Sequence, residues 1–192
     1  MAWEDVVRII RILFFGAAAF MFATRAFADG RITPYIGYNY GGDSSNCVSL
    51  RDCEERHTNF GVSFGSANPV GFEADFAYAK NFFGATPDGN NSVLTLMTNL
   101  VFGIPFGPVQ PYVVGGVGLI RPHASLNPTQ LVTSKNAFGY DLGFGVTVFF
   151  TRGLGVRGDI RRFRTFEDLT LFVFSGGKLE FSRASAGLTF RY

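Results

Sequence analysis

The chain has 192 residues, of which 47% are hydrophobic, and a formal net charge of +2. This length predicts one domain, and this composition suggests neither an intrinsically disordered chain nor a nucleic-acid binder. The 23 Phe, 7 Tyr and 24 Gly are unusual, because a soluble core draws more on Leu and Ile. Phe and Tyr alternating with Gly are typical of a sheet with one face in lipid and a crowded opposite face.

Residues 1–28 have the pattern of a secretory signal peptide. Arg8 and Arg11 precede an apolar run at 12–23, and residues 26–28 (AFA) supply a small-x-small cleavage pattern. The apolar run is shorter than the roughly 20 residues that a membrane-spanning helix needs. We therefore expect export through the Sec pathway and a barrel domain at residues 29–192.

Two cysteines, Cys47 and Cys53, lie close together in a polar stretch. In an oxidising compartment they are expected to form a local disulfide, which contributes about 2 kcal/mol in the chain-entropy model. The alternative is a pair of unpaired surface thiols. A zinc site needs more ligands than the nearby His57 provides, so we predict neither a metal nor a cofactor.

The rest of the chain contains eight segments in which apolar and polar or glycine residues alternate with a period of two. The segments lie at 31–40, 58–67, 71–80, 92–102, 109–120, 137–149, 154–163 and 179–192. The links between them alternate, being long at 41–57, 81–91, 121–136 and 164–178 and short at 68–70, 103–108 and 150–153.

This alternation of links is typical of outer-membrane barrels, which have an even strand number, short periplasmic turns and longer outside loops. The sequence therefore predicts an all-β fold, an eight-stranded antiparallel transmembrane up-and-down barrel in a Gram-negative-type outer membrane. The apolar run at 169–174 in the last long link either extends its hairpin or forms an exposed patch for a partner. The extension is favoured, with Gly176 and Gly177 as its tip.

The two faces of the predicted strands carry different charges. On the apolar face the charged residues are Lys80, Arg162 and Glu180, which all lie at the outer rim. An eight-stranded barrel has an interior that side chains fill, so charges on the other face are expected to pair across the lumen without a wide pore. These predicted lumen residues are Glu73, Asp75, Asp141, Arg157, Asp159, Arg161 and Arg183.

Several short motifs accompany this pattern. They are PYIG at 34–37, GFEAD at 71–75, Asn99, PYVVGGVG at 111–118, GVRGD at 155–159 and GLTFRY at 187–192. In these motifs the whole mature chain resembles the outer-membrane protein β-barrel domain family, the OmpA-like eight-stranded barrels. The resemblance implies an integral outer-membrane protein with surface loops. It also implies that Leu188, Phe190 and Tyr192 form the C-terminal signal that the barrel-assembly machinery reads.

Three other functions were weighed against a structural or cell-surface role. A small porin-like channel needs the interior ion pairs to rearrange, and a lipocalin-like barrel has the reverse charge pattern. His123 and Ser125 loosely resemble the His-x-Ser of lipid A-modifying barrels, but Asp141 is too far along the chain to orient the histidine.

We therefore predict a monomer that is not an enzyme and binds no nucleic acid. Its expected partners are outer-membrane lipid, lipopolysaccharide, the assembly machinery and an unknown extracellular ligand.

Overall fold

The two-residue alternation produces a closed antiparallel barrel. The computed structural model describes residues 30–42, 58–67, 69–80, 82, 89–126, 131–134, 136–171 and 174–192. The predicted signal peptide at 1–28 and disulfide between Cys47 and Cys53 lie outside these residues. No helix in the described part of the chain is long and apolar enough to span a membrane.

Eight strands form the barrel, and one short additional strand lies outside the ring. The strands are β1 Arg31–Tyr40, β2 Thr58–Gly65, β3 Val70–Lys80, β4 Gly89–Gly103, β5 Val109–Leu126, β6 Leu131–Ser134, β7 Ala137–Phe149, β8 Leu154–Leu171 and β9 Phe174–Arg191. Consecutive strands of the ring pair antiparallel, with β5 next to β7, and β1 pairs with β9 to close it. Within the described part of the chain, β6 pairs only with the outer end of β5. The predicted fold is confirmed.

The strand ends differ from the prediction mainly on the side of the long links. β1 and β7 have the predicted bounds, whereas β5, β8 and β9 continue several residues further and β6 was not predicted. The predicted extension of the last hairpin is confirmed, because Leu171 pairs with Phe174. The predicted tip is wrong, since Gly177 pairs with Leu169 inside the ribbon. The pairing of β8 with β9 thus continues past Gly177 into the apolar run at 169–174.

Side chains on the two faces differ in exposure. Along β3 every second residue is exposed, so Phe72 and Phe76 point outward while Glu73 and Asp75 are buried. Phe60 and Phe144 are 64% and 62% exposed on other strands. A water-soluble protein rarely exposes such a continuous apolar surface, so this exterior requires lipid.

Short turns close the end of the barrel opposite the long links. In the turn between β4 and β5, Phe106 donates to the carbonyl of Val109 at 2.8 Å, and Gly107 adopts a φ of 62°. In the turn between β7 and β8, the Thr151 hydroxyl accepts a hydrogen bond from Leu154 N at 3.0 Å. The last residue is fixed at this end, because Tyr192 N donates to Gly30 O at 3.0 Å.

Candidate functional site

The candidate site is the interior of the barrel, where the sequence places its charges. β3 contributes two acids and β7 one, while β8 and β9 contribute the arginines and one further acid. All lie on the inward face, and six are buried while the Arg157 side chain is 10% exposed. This charged belt consists of Glu73, Asp75, Asp141, Arg157, Asp159, Arg161 and Arg183.

Arg161 is at the centre of the charged belt. Its Nη2 donates to Glu73 Oε1 at 2.8 Å, and its Nε donates to Asp159 Oδ1 at 3.2 Å. Its Nη1 lies 3.6 Å from Asp141 Oδ2 and 3.9 Å from Asp75 Oδ2. The one guanidinium therefore contacts every acid of the belt, which offsets the cost of burying these charges in the barrel interior.

Arg157 forms the part of the belt nearer the short turns. It pairs with Glu73 Oε2, and its Nε donates to the Tyr112 hydroxyl at 2.6 Å. That hydroxyl in turn donates to Asp159 Oδ2 at 2.8 Å. The guanidinium also lies 4.4 Å from the centre of the Tyr112 ring, so the same tyrosine supplies a hydrogen bond and a cation–π contact.

Arg183 repeats this arrangement on the opposite side of the belt. Its Nη2 donates to Asp75 Oδ1 at 2.7 Å, and the Tyr35 hydroxyl donates to Asp75 Oδ2 at 2.7 Å. The guanidinium lies 5.0 Å from the Tyr35 ring centre and 4.8 Å from that of Phe163. Each of the outlying arginines therefore has a carboxylate and a tyrosine as partners.

Sequence reasoning missed three side chains of this network, Tyr35, Tyr112 and Asn99. With its amide nitrogen toward Asp141, Asn99 donates to Oδ1 at 2.8 Å and accepts from Arg161 Nη1 at 3.0 Å. The available signal was position, because each residue lies on the inward face of its strand beside a paired glycine. A pattern that scores Tyr as apolar and Asn as neutral does not detect them.

Glycines on neighbouring strands give these long side chains their space. A Cβ added to Gly143 would lie 2.7 Å from Arg161 Cγ, and one added to Gly145 would lie 2.6 Å from Asp159 Cβ. A side chain at either position would therefore collide with residues of the charged belt.

A second layer of the lumen is apolar and lies toward the outer ends of the strands. Phe163 and Phe181 stack with ring centres 4.9 Å apart, and Phe82 meets Phe181 edge-on at 4.8 Å. All the members are at most 3% exposed. This apolar layer consists of Ala79, Phe82, Val93, Met97, Ile120, Ala137, Phe163, Leu179 and Phe181. The charge pattern alone did not predict it.

The lumen near the short turns contains buried polar side chains beside a small apolar cluster of Ala67, Val101, Tyr112 and Val114. Arg31 and Gln110 both donate to the Ala67 carbonyl, and the hydroxyls of Thr33 and Thr189 lie 2.9 Å apart. A small cavity lies between this end and the charged belt, lined in part by Arg31, Thr33 and Arg157. From the short turns outward, the interior therefore changes from a mixed polar and apolar end to the charged belt and then to the apolar layer.

The sequence matches the outer membrane protein beta-barrel domain family over residues 14–192. The chain belongs to this family. No curated protein matches the sequence. Membership of the outer membrane protein β-barrel family confirms the predicted resemblance and the outer-membrane location.

Solved structures of outer-membrane proteins share the fold at low sequence identity. Neisserial surface protein A aligns with a TM-score of 0.63 and 15% identity, over 85% of this chain and 97% of that one. The N-terminal β-barrel domain of OprF from Pseudomonas aeruginosa aligns at 0.53 and 12%, over 85% and 97%. Ail, the attachment invasion locus protein of Yersinia pestis, aligns at 0.50 and 16%, over 85% and 97%. Identities this low establish the fold only.

Asp141 and His123, two of the residues weighed for lipid A chemistry, lie at different levels of the barrel. Asp141 is fully buried in the charged belt, 3.6 Å from Arg161. His123 is half-buried near the outer end of β5, where it pairs with Ser92 and Ser134. Asp141 is therefore not placed to orient His123. The described residues also contain no group of three or more His, Cys, Asp or Glu side chains that could hold a metal ion.

Proposed function

We propose that the protein is a non-conducting outer-membrane barrel that acts at the cell surface, through the strand ends and loops on the side of the long links. In this proposal the lumen is a structural core rather than a pathway. The single observation that supports it most strongly is the apolar layer on the long-link side of the charged belt. An ion crossing the barrel would have to separate the pairs of Arg161 and then displace the stacked rings of Phe163 and Phe181.

The outer ends of the strands supply the surface in this proposal. β4, β5 and β6 form one projecting sheet, and the outer ends of β8 and β9 form a ribbon. The unknown extracellular ligand would bind on these projections and on the loops joining them. A disulfide between Cys47 and Cys53 would restrain one of those loops.

Membrane insertion is proposed to depend on the last strand. Leu188 and Phe190 lie on the outward face of β9, Tyr192 follows the end of this strand, and the three are 50%, 45% and 67% exposed. This apolar alternation would be read by the barrel-assembly machinery before lipid covers it. Outer-membrane lipid, including lipopolysaccharide, would then surround a monomer.

Planar-bilayer recording tests the proposal. We expect the purified protein to insert without discrete conductance steps, whereas a porin reconstituted under the same conditions conducts. Regular steps from the unaltered protein, growing when Arg157 or Arg161 is changed to Gln, would overturn it and establish the small-channel alternative. That alternative has one observation in its favour, since small cavities lined by polar and apolar side chains lie on both sides of the belt, one beside Arg157 and one beside Arg183.

A further inference from the structure

The described lumen contains one more positive than negative charge. The charged belt has three arginines and four acids, and Arg31 of β1 and Arg191 of β9 add two guanidiniums nearer the short turns. These two arginines are directly opposite each other in the pairing of β1 with β9. Both contact the ring of Phe149, with their Cζ atoms 5.2 and 4.0 Å from its centre. Like charges directly opposite on paired strands repel, so this end of the lumen favours an added negative charge.

The cavity between the short turns and the charged belt lies beside this excess charge. Arg31 and Arg157 line it, and their side chains are nine-tenths or more buried. Arg157 Nη2 is buried and has no hydrogen-bond partner among the described residues. A buried charged donor without a partner is destabilising, so an acceptor placed in the cavity would stabilise the barrel.

The rest of the cavity wall is suited to a small anion. Its acid is Glu73, whose two carboxylate oxygens already pair with Arg157 and Arg161. The cavity has a volume of about 10 Å³, which is room for one water-sized species and excludes phosphate or a carboxylate. The wall also contains hydroxyl groups that can donate hydrogen bonds, those of Thr33, Ser63, Ser66 and Thr147.

We propose that the cavity beside Arg157 binds a monatomic anion of the class of chloride. Arg157 Nη2 donates to the anion, and the guanidinium of Arg31 adds a second positive charge at the cavity wall. The bound anion balances the excess charge of the lumen and reduces the repulsion between Arg31 and Arg191. It is a fixed part of the barrel interior, so the site goes beyond the proposed surface function and does not depend on it.

The cavity on the other side of the belt serves as an internal comparison. Its charged residue is Arg183, which pairs with Asp75 at 2.7 Å. Asn59 Oδ1 and Thr95 Oγ1 in its wall are buried and have no partner among the described residues. Water can donate to such oxygens, whereas an anion only accepts hydrogen bonds. We therefore expect water rather than an anion in the cavity beside Arg183.

Crystallography of the purified protein with bromide in place of chloride tests the site, because bromide has the chemistry of chloride and an anomalous signal. The expected result is an anomalous peak within hydrogen-bond distance of Arg157 Nη2 and none in the cavity beside Arg183. Absence of a peak beside Arg157, or peaks confined to the exterior, would overturn the site. Equal peaks in the two cavities would overturn selection by Arg31 and Arg157.

The chloride dependence of stability tests the same site in lipid vesicles. Unfolding by urea is followed by heat-modifiable gel migration, with gluconate replacing chloride at constant ionic strength. Above the dissociation constant of the site, a tenfold increase in chloride should raise the folding equilibrium constant about tenfold. Arg31→Gln should abolish this dependence, and Arg152→Gln, in an exposed turn, should retain it.

An unchanged chloride dependence in Arg31→Gln would overturn the role of this arginine in the site. If that variant does not fold, the bromide experiment on the unaltered protein still decides. None of these outcomes bears on conductance, so the non-conducting barrel is tested separately.

Discussion

At the scale of single residues, Asp75 binds two side chains of the lumen at once. It accepts hydrogen bonds from Arg183 and from Tyr35, and it is fully buried. Removing one partner of a buried ion pair leaves a charge without compensation, which costs about 3–5 kcal/mol.

Asp75→Asn should therefore lower the free energy of unfolding in lipid vesicles by about that amount, as measured by urea titration of heat-modifiable migration. Glu167→Gln, which changes an exposed acid outside the charged belt, should stay within about 0.5 kcal/mol of the unaltered protein. Equal effects of the two substitutions would contradict the structural role of the belt.

Two glycines on paired strands provide a matched test of which strand face points into the lumen. A Cβ on Gly145 would lie 2.6 Å from Asp159 Cβ and against the Tyr112 hydroxyl, whereas one on Gly158 would have only Ser185 O, at 3.7 Å, as a neighbour. Gly145→Ala should destabilise the barrel by about 1–3 kcal/mol through overpacking. Gly158→Ala should be tolerated. The same urea titration measures both, and a reversed order would mean that the faces are assigned wrongly.

The sequence was most informative about the charged residues of the strands. Each charge of the belt could be placed on the inward face by counting in twos. The partners Tyr35, Tyr112 and Asn99 could not be found this way, because hydropathy does not distinguish a lipid-facing tyrosine from one that binds a guanidinium. The apolar layer was missed because Phe163 and Phe181 have the same hydropathy as lipid-facing phenylalanines, although their positions are on the inward face.

At the scale of elements, the strands were predicted well where lipid imposes the pattern and less well beyond it. Outside the membrane, strand pairing continues through residues that need not alternate, so the outer ends of β8 and β9 and the short β6 were not predicted in full. A register shift between Arg164 and Asp168 marks where the ribbon of β8 and β9 changes its pairing. Past this point the described strand pairing of β8 and β9 is with each other.

This separation predicts that the ribbon can be shortened without loss of the barrel. Replacing residues 169–177 by Asn-Gly, which forms a two-residue hairpin turn after the pair of Asp168 and Lys178, should leave the unfolding midpoint nearly unchanged. Thr165→Val should be more harmful, by about 1–3 kcal/mol, because the Thr165 hydroxyl accepts from Leu179 N at 2.9 Å. Loss of folding in the shortened variant, measured by gel migration, would argue that the ribbon belongs to the barrel core.

At the scale of the whole molecule, the fold is a sheet that presents one face to lipid and fills the space behind the other. The exterior takes phenylalanines because they cover a wide apolar surface, and the interior combines glycines with long charged side chains. The filling is layered, with the charged belt between a mixed polar and apolar end and the apolar layer. In this account the barrel is a rigid support, and its activity lies at the outer ends of the strands.

The account depends on the two faces having opposite surroundings, and tryptophan fluorescence tests this most directly. The only tryptophan of the sequence is Trp3, within the predicted signal peptide, so in a protein prepared without residues 1–28 the fluorescence comes from the one introduced tryptophan. Phe144→Trp replaces a ring that is 62% exposed on the outside, and Phe163→Trp replaces one that is fully buried in the lumen. In vesicles of brominated lipid the first should be strongly quenched and the second should not be. Strong quenching at position 163 with none at position 144 would contradict the account.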